Sequence, residues 1–270
     1  FDCDFVFGDS YQDVKKMDYS LLKGKVTEVK NIRCKHFYYQ KGVPNLICKK
    51  YDAYIILGEP RCLSTWLLLI LSLFYPKKRI YLWSHGWYGK ENILKKVIER
   101  IFYILVDGLF IYNNRSKELM THGGINKDKL YVIYNSLDYD RQVKQRNKVN
   151  NFDIYISHFG NRKPNIVFIG RLTKVKQLDR LIDVVKRAKD NNVHLNMTFI
   201  GDGESRSILE KLSLENGILD RVWFYGQCYN EEKLSELIFN ADLCVSPGNV
   251  GLTAMHALVY GCPIITHDNF

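Results

Sequence analysis

Short apolar runs alternate with stretches of helical spacing along most of the chain. Each run is four or five residues long and is bounded mainly by glycine, proline or polar residues, which predicts a buried strand. The predicted strands cover residues 4–7, 53–57, 80–83, 108–112, 131–134, 166–169, 197–200, 222–225, 243–246 and 263–266. Strands that alternate with helices are typical of βα units in a parallel sheet, so the pattern predicts an α/β fold.

Two apolar stripes at helical spacing lie between the predicted strands. One consists of Ile93, Leu94, Val97, Ile98, Ile101 and Leu105, and the other of Leu178, Leu181, Ile182, Val185 and Ala188. Each stripe predicts a helix whose apolar face packs on a sheet. The most apolar stretch, residues 66–75, is shorter than the ~20 residues that span a bilayer. We interpret it as a further buried helix, with a helix that dips into a membrane as the alternative.

A polar segment at residues 140–164 interrupts this pattern, since it is rich in Lys, Arg and Asn and has no sustained apolar period. We interpret it as the connection between two α/β domains, at residues 1–150 (with the connection) and 151–270. The chain enters a strand almost at residue 1, and only four residues follow the strand that ends near Thr266. Because an open parallel sheet normally has helices on both faces, both domains are expected to be incomplete at these ends.

The chain has 270 residues and a formal net charge of +10, and most of the excess positive charge lies in its first half. A basic surface suits nucleic acid, anionic lipid or a phosphorylated substrate, and charge alone does not choose among them. The seven cysteines are scattered and form no C-x-x-C pair, so neither a zinc site nor a disulfide framework is predicted. With no signal peptide in the sequence, these thiols indicate a cytoplasmic protein.

Three turns that follow predicted strands carry the candidate chemistry. In the first, the strand at residues 166–169 ends in Gly170 and leads through Arg171, Lys174 and Lys176 to the next predicted helix. A helix N-terminus attracts anions, so cations at this point favour a phosphate held by Arg171, Lys176 and free backbone N–H groups. The alternative is a surface loop whose lysines point into solvent.

The other two turns are rich in glycine. Residues 201–203 form a lone G-x-G, which a tight turn explains as well as a ligand does. Residues 246–263 run from a strand through a Gly/Asn loop into a helix, and Gly248 and Gly251 let a ligand approach the backbone. His256 lies in that helix, where a lone histidine more often has a structural role. All three turns lie at the carboxyl ends of parallel strands, where open α/β sheets bind ligands.

A fourth turn, W-S-H-G-W-Y-G-K at residues 83–90, follows a strand in the first half. His85 suits a hydrogen-bond partner or a proton-transfer group, and Trp87 and Tyr88 suit stacking on a sugar. The alternative is a buried histidine that caps the turn. The sequence has no nucleophile elbow, metal-ligand cluster, Walker A loop or RNA-binding motif.

These segments together resemble a known family. The ordered motifs are W-S-H-G-W, Y-N-S-L-D at residues 134–138, G-R-L-T-x-x-K, F-I-G-D-G and A-D-L-x-V-S-P-G-N-V-G-L-T-A-M-H-A-L-V-Y-G-C-P-I-I-T. They are similar to the family-4 glycosyltransferases, which have the GT-B fold of two Rossmann-like domains that face each other across a cleft. The resemblance covers nearly the whole chain, and it implies that the first strand with its Gly-rich loop and the closing C-terminal helices are missing.

The resemblance implies transfer of a sugar from a nucleoside diphosphate donor, UDP-sugar favoured, with retention and with no metal or other cofactor. By position, Arg171 and Lys176 match the basic pair that neutralises the diphosphate. His85 matches the catalytic-site histidine near the transferred sugar. The loop that holds the donor sugar and phosphates corresponds to Gly248, Asn249, Val250, Gly251 and Leu252.

The last motif departs from the family pattern, which has two glutamates separated by seven residues. Gly248 and His256 stand at these two positions. In the family, the first glutamate lies beside the donor sugar and the second holds the ribose hydroxyls. Because a histidine can also hydrogen-bond a ribose, His256 is expected to bind the donor. If the leaving phosphate acts as the base in a front-face attack, the loss of the first glutamate alters donor choice more than turnover.

The leading interpretation is a glycosyltransferase that makes a surface polysaccharide or glycoconjugate, with a glycan or lipid-linked acceptor. The basic residues 77–79, with Lys90, Lys95, Lys96 and Arg100, suggest peripheral contact with the inner face of the membrane. Two alternatives remain: a non-catalytic nucleotide-sugar-binding protein and a nucleotide-sugar epimerase, which would need acid/base residues beyond His85. No nucleic-acid partner is predicted, because the polar segment lacks interleaved aromatic residues.

Overall fold

The computed structural model describes residues 2–9, 16–149 and 154–267. The chain divides into two compact units, Phe1–Asn135 and Ser136–Phe270. The domain boundary expected between residues 150 and 151 lies outside the described residues. The polar segment around it contributes two helices, Tyr139–Arg146 and Ile154–Phe159, to the second unit.

The first unit is built on a parallel sheet of four strands. Its strands are β1 (Phe5–Gly8), β2 (Val26–Val29), β3 (Asn31–Cys34), β4 (Phe37–Gln40), β5 (Ala53–Leu57), β6 (Arg79–Ser84), β7 (Gly108–Ile111) and β8 (Leu130–Val132). Strands β5 to β8 form the sheet in chain order. Strands β1 and β2 form a separate parallel pair, and β3 and β4 form an antiparallel pair. The sequence pattern predicted β1 and β5 to β8 but not β2, β3 or β4.

One face of the four-stranded sheet carries the helices of this unit, α1 (Leu63–Ser72), α2 (Ile93–Ile104) and α3 (Asn114–His122). Because each connection moves to the next strand in the same direction, right-handed crossovers place all three helices on the same face. The core lies there and includes Leu68, Leu69, Ile80, Leu82, Leu109 and Ile111. The opposite face is exposed at Ile55, Leu57 and Trp83. The apolar stretch at residues 66–75 thus forms most of α1, whose buried side chains join the core.

Apart from Leu105, which packs against it, the apolar stripe of α2 does not face this core. The buried side chains of α2 are Glu99, Phe102 and Tyr103, whereas Ile93 and Leu94 are 83% and 71% exposed. The expectation that the stripe packs on the sheet is therefore wrong, although the helix itself was predicted. The physical reason is that the two large aromatic residues on the other side of α2 fill the space above the sheet.

The second unit is a parallel sheet with helices on both faces. Its strands are β9 (Asn165–Ile169), β10 (Asn196–Ile200), β11 (Val222–Gly226), β12 (Leu243–Ser246) and β13 (Ile264–Thr266), arranged in the order β11-β10-β9-β12-β13. Its helices are α4 (Tyr139–Arg146), α5 (Ile154–Phe159), α6 (Asp179–Asp190), α7 (Arg206–Glu215), α8 (Glu231–Phe239) and α9 (Thr253–Val259). All five strands match the sequence prediction to within one residue at each end.

Two hydrophobic clusters hold the helices on this sheet. One contains Leu178, Leu181, Ile182 and Val185, so the stripe of α6 is buried as predicted. The other joins α5, α8 and α9 through Tyr155, Leu237, Ile238, Ala257 and Tyr260. A sheet covered on both faces presents its ligand-binding positions only at the strand ends, which is where the predicted turns lie.

Candidate functional site

The strand order of the second unit places a switch point between β9 and β12. From β9 the chain winds outward to β10 and β11 on one side, and then to β12 and β13 on the other. Loops that leave neighbouring strands in opposite directions open a crevice at their carboxyl ends. The loop that carries Arg171 follows β9, and the loop that begins at Pro247 follows β12. The structure therefore brings two of the three predicted turns to one crevice.

The third turn, after β10, is hydrogen-bonded to the loop after β9. The Leu172 N–H donates to the Asp202 carbonyl oxygen at 2.9 Å, and the Ser205 N–H donates to the Leu172 carbonyl oxygen at 2.9 Å. Gly203 has a φ of +156°, and a Cβ on it would lie 3.0 Å from the Leu172 carbonyl carbon. The packing of two loops explains Gly203 here without a ligand. Asp202 pairs with Arg206, with 3.3 Å between Oδ2 and Nη1.

The two cations predicted to hold a phosphate have different surroundings. Arg171 is exposed, and its guanidinium has no hydrogen bond or ion pair within the described ranges. Lys176 is half-buried, and its Nζ donates to the Asn249 carbonyl oxygen and lies 3.4 Å from that of Val250. Burial lowers the pKa of Lys176. Because an ammonium has three donors, Lys176 ties the loop after β9 to the loop after β12 and keeps one N–H for an anion.

The helix expected near Gln177 begins slightly later. Lys174–Lys176 is a single 3₁₀ turn, Gln177 has a left-handed φ of +52°, and α6 starts at Asp179. Lys176 therefore lies on the turn before α6 rather than in its first turn.

The loop after β12 packs its first glycine and exposes the next residues. Gly248 is buried, and a Cβ on it would lie 2.6 Å from the carbonyl carbon of Lys176. The Asn249 N–H donates to the Val175 carbonyl oxygen at 3.2 Å. Three successive backbone N–H groups donate to no acceptor in the part of the chain that the structure describes, those of Val250, Gly251 and Leu252. Unpaired N–H groups that follow one another in a loop suit an anion or a hydroxyl oxygen.

Thr253, at the start of α9, was missed by the sequence analysis. It is 4% exposed, and its hydroxyl donates to the Ile169 carbonyl oxygen at 2.7 Å. This bond joins the first residue of α9 to the last residue of β9. The hydroxyl therefore fixes the distance between the two loops at the switch point. Nothing in the local sequence distinguishes this threonine from a surface threonine.

His256 lies in α9 within a network of polar side chains from three helices. Its Nδ1 is 3.2 Å from Nε2 of Gln142 in α4, which also donates to Oε1 of Glu231 in α8 at 3.1 Å. The Tyr260 hydroxyl donates to the same Glu231 oxygen at 2.8 Å. Burial lowers the pKa of His256, and the charge of Glu231 opposes this effect. The sequence carried no local signal for Gln142, Glu231 and Tyr260 as partners of this histidine.

His85 follows β6 in the first unit, among exposed aromatic rings. Its ring centroid is 4.6 Å from that of Tyr112 and 6.1 Å from that of Tyr88. The Ser116 hydroxyl donates to the His85 carbonyl oxygen at 2.9 Å and fixes the backbone of the turn. Partial desolvation of the ring beside Tyr88 and Tyr112 lowers the pKa of His85, which favours the neutral ring near neutral pH. The side chain is exposed, so the buried capping histidine of the alternative interpretation does not describe it.

The aromatic residues near His85 differ from those expected. Trp87 is 3% exposed and packs against Gly123, so it cannot stack on a ligand. Tyr88 is 58% exposed and remains available. A hollow of about 250 Å³ lies at the ends of β5 and β6 and is lined by Ile55, Ile56, Leu57, Trp83 and Tyr112. Trp83 and Tyr112 could have been found from the alternation of side chains along two strands.

The described residues contain no group of three or more His, Cys, Asp or Glu side chains that could hold a metal ion. Among the described helices, none is both long and apolar enough to cross a bilayer.

The fold belongs to a known class. The structure resembles the crystal structure of HepE from Anabaena in complex with UDP, with a TM-score of 0.65, 16% identity, and coverage of 90% of this chain and 67% of that chain. Structural neighbours of this chain are GT-B glycosyltransferases, which confirms the predicted α/β fold of the GT-B type.

Sequence comparisons agree with this class. Residues 151–270 match the sequence model of the family described as "Glycosyl transferases group 1". An uncharacterized 41.2 kDa protein in the cps region of Klebsiella pneumoniae is 29% identical over 228 residues, which are 83% of this chain and 54% of that protein. The amylovoran biosynthesis glycosyltransferase AmsD of Erwinia amylovora is 26% identical over 154 residues, 56% of this chain and 40% of that protein. Residues 151–270 are therefore similar to this family, which is consistent with the predicted transferase.

Proposed function

We propose that this chain forms the donor and acceptor sites of a glycosyltransferase that moves a sugar from a nucleoside diphosphate sugar, UDP-sugar favoured, to a glycan or lipid-linked acceptor. The family match and the names of the relatives support a group 1 glycosyltransferase in surface polysaccharide synthesis. Assignment to family 4 and transfer with retention rest on the motif resemblance. UDP is the ligand named for HepE, which supports UDP as the nucleotide here.

The observation that carries this proposal is the set of groups at the switch point of the second unit. Arg171 is an exposed cation without a partner in the described ranges, and Lys176 keeps one N–H free. The unpaired backbone N–H groups of residues 250–252 lie in the loop that Lys176 contacts. Cations and N–H groups in two loops that border one crevice suit a diphosphate and stabilise the charge that it gains when the sugar leaves. The proposed transfer therefore needs no metal at this site.

The first unit supplies the proposed sugar and acceptor contacts. A neutral His85 can donate and accept hydrogen bonds, and its place beside Tyr112 gives it a fixed orientation. The apolar hollow lined in part by Trp83 and Tyr112 suits the face of a sugar ring or an apolar group of the acceptor. By the motif resemblance, His85 binds the transferred sugar and the leaving phosphate takes the proton of the acceptor hydroxyl.

Peripheral contact with the inner face of the membrane is proposed on the structure of α2. Its apolar stripe is exposed, and cations flank it at Lys90, Lys95 and Arg100. An amphipathic helix with an apolar face and flanking cations binds anionic bilayer surfaces without crossing them. A lipid-linked acceptor would be presented at that surface. The protein is accordingly proposed to act in the cytoplasm.

A non-catalytic nucleotide-sugar-binding protein is the second candidate, and one observation favours it. Gly248 and His256 occupy the positions of the paired glutamates, so the donor site has no carboxylate at either position. Binding would survive this change, because Arg171, Lys176 and the loop N–H groups do not depend on those positions. A measurement of sugar transfer therefore distinguishes the glycosyltransferase from the non-catalytic binding protein.

The experiment is a screen of nucleotide-sugars for thermal stabilisation, donor hydrolysis and transfer, followed by the variants Arg171→Ala and Lys176→Ala. Both variants are expected to lose stabilisation by UDP and UDP-sugar, whereas Lys174→Ala, exposed on the same turn, is the matched control. Full donor binding and hydrolysis by both variants would overturn the diphosphate assignment. Tight binding of a UDP-sugar with no hydrolysis or transfer to any acceptor would favour the non-catalytic protein.

A further inference from the structure

His256 is held by an amide whose orientation is determined by its other partner. Gln142 is 4% exposed, and its Nε2 is 3.1 Å from Oε1 of Glu231. If the amide were flipped, its carbonyl oxygen would face the carboxylate oxygen, and two acceptors would lie in contact without a proton between them. The carboxylate therefore keeps the NH₂ group of Gln142 toward Glu231 and His256.

The orientation of Gln142 determines which nitrogen of His256 carries the proton. An NH₂ group has two donors and no acceptor. One N–H points to Glu231 and to the Tyr260 hydroxyl beside it. The other points to Nδ1 of His256, which lies 3.2 Å from Nε2 of Gln142. Nδ1 must accept this bond with its lone pair, so the proton of the neutral ring is on Nε2. A proton on Nδ1 would face the N–H of Gln142.

The second nitrogen of the ring is left for a ligand. Within the described part of the chain, Nε2 of His256 has no hydrogen-bond partner. Burial lowers the pKa of His256, which agrees with a neutral ring. Other groups also hold the network in place, since Tyr260 donates to Glu231 and Arg146 donates to the Val259 carbonyl oxygen at 3.0 Å.

We propose that Gln142 is a positioning residue that fixes His256 as the Nε2–H tautomer, so that His256 offers the nucleotide one hydrogen-bond donor and no acceptor. This step rests on the proposed function and on the role that the motif resemblance gives to His256, which is to bind the ribose. A glutamate at the same place can only accept hydrogen bonds from ribose hydroxyls. His256 reverses the direction of that bond, because its Nε2–H donates to a ribose hydroxyl oxygen.

The first test is the tautomer of His256 in the unliganded chain. Long-range ¹H–¹⁵N correlation spectra assign the protonated nitrogen, since Nε2 couples to both ring carbon protons and Nδ1 mainly to one. The expected result is Nε2–H in the native chain, and a mixture or Nδ1–H in Gln142→Leu. Glu231→Gln, which frees the Gln142 amide to flip, is expected to act in the same direction and serves if Gln142→Leu does not fold. Lys144→Ala, exposed on α4, is the control. An Nδ1–H tautomer in the native chain, or an unchanged tautomer in both network variants, overturns the proposal.

The second test is binding of UDP, 2′-deoxy-UDP and 3′-deoxy-UDP by calorimetry. Removal of the ribose hydroxyl that accepts from His256 is expected to weaken binding to the native chain about tenfold, as for one lost hydrogen bond. The same removal is expected to have little effect in Gln142→Leu. If the native chain binds UDP but tolerates both deoxy analogues, the donor role of His256 is overturned while the proposed function stands. If the native chain binds no nucleotide, the proposed function itself fails, whatever the tautomer.

Discussion

The backbone of Lys176 occupies the space into which a side chain at position 248 would extend. A Cβ on Gly248 would lie 2.6 Å from the Lys176 carbonyl carbon and 2.8 Å from its Cα. Real Cβ atoms do not approach other atoms so closely, so the loops after β9 and β12 can pack in this way only if residue 248 is glycine. The glycine that stands in place of the family glutamate thus allows the two loops to pack in direct contact. The Lys176 side chain reinforces this approach by donating to the Asn249 carbonyl oxygen.

Restoring the family glutamate with Gly248→Glu is therefore expected to destabilise the second unit rather than improve the site. Overpacking of this kind costs about 1–3 kcal/mol. Thermal or denaturant unfolding measures the loss. Lys174→Glu adds the same side chain at an exposed position of the neighbouring turn and is expected to leave the free energy of unfolding nearly unchanged. A stable Gly248→Glu variant with improved donor binding would contradict this packing argument.

Lys176→Met removes the ammonium and keeps most of the length of the side chain. Because a hydrogen bond to a charged group contributes about 1.5–3 kcal/mol, the affinity for UDP is expected to fall roughly tenfold to a hundredfold. The loop at residues 249–250 should also become more mobile, since Lys176 Nζ no longer bridges to it. Isothermal titration gives the affinity, and amide hydrogen exchange reports on the loop. Equal losses in Lys174→Met would show that general positive charge, and not Lys176, determines binding.

Thr253→Val tests the hydrogen bond between α9 and β9. The substitution keeps the shape of the side chain and leaves the Ile169 carbonyl oxygen without its partner at 2.7 Å. Loss of this buried bond is expected to cost about 1–3 kcal/mol of unfolding free energy. Thr253→Ser retains the hydroxyl and should retain more of the stability. If the two variants are equally stable, the hydroxyl does not hold the switch point together.

Local sequence patterns predicted the bounds of helices and strands better than they predicted which faces of these elements are buried. The bounds of β5 and β12 follow from short apolar runs alone, and α6 buries its predicted stripe because no larger side chains compete on its other faces. In α2 the stripe is exposed, since burial was decided by Phe102 and Tyr103. Strands β2 to β4 were missed because they bury too little to show an apolar period.

The predicted site shows the same limit. Spacing within single turns predicted Arg171, Lys176 and the glycine loop, and the parallel sheet predicted that the turns lie at one edge. The partners of His256 could not be predicted from the spacing within one turn, because Gln142 is 114 residues away in the sequence. Its segment was interpreted as a polar connection, and neither a glutamine nor its neighbours carries a local signal for a buried contact.

Stability is expected to fall as the pH decreases from 7 toward 5, partly through His256. Burial lowers the folded-state pKa of His256 below its ordinary value of about 6.5. At a pH below about 6.5 the unfolded chain binds a proton at His256 more readily than the folded chain does. The contribution of His256 to the free energy of unfolding is therefore complete above this pH and is lost as the pH falls below it. The effects of His85 and His158 have the same sign. His256→Gln should therefore flatten the dependence measured by urea unfolding. His36→Gln, exposed in the β3–β4 turn, is the matched control, and an equal flattening there would contradict the assignment.

The exposed stripe of α2 predicts binding to vesicles that contain anionic lipid. Ile98→Gln with Ile101→Gln should weaken binding by removing apolar area, since these residues are 42% and 51% exposed. Lys95→Glu with Lys96→Glu should weaken it further at low salt, because each cation near an anionic surface contributes about 1 kcal/mol. Co-sedimentation with phosphatidylcholine vesicles, with and without phosphatidylglycerol, measures both effects. Lys211→Glu, exposed on α7 of the second unit, is the control. Binding that is absent, or that is unaffected by either pair of substitutions, would assign the stripe to a contact within the protein or with another protein instead.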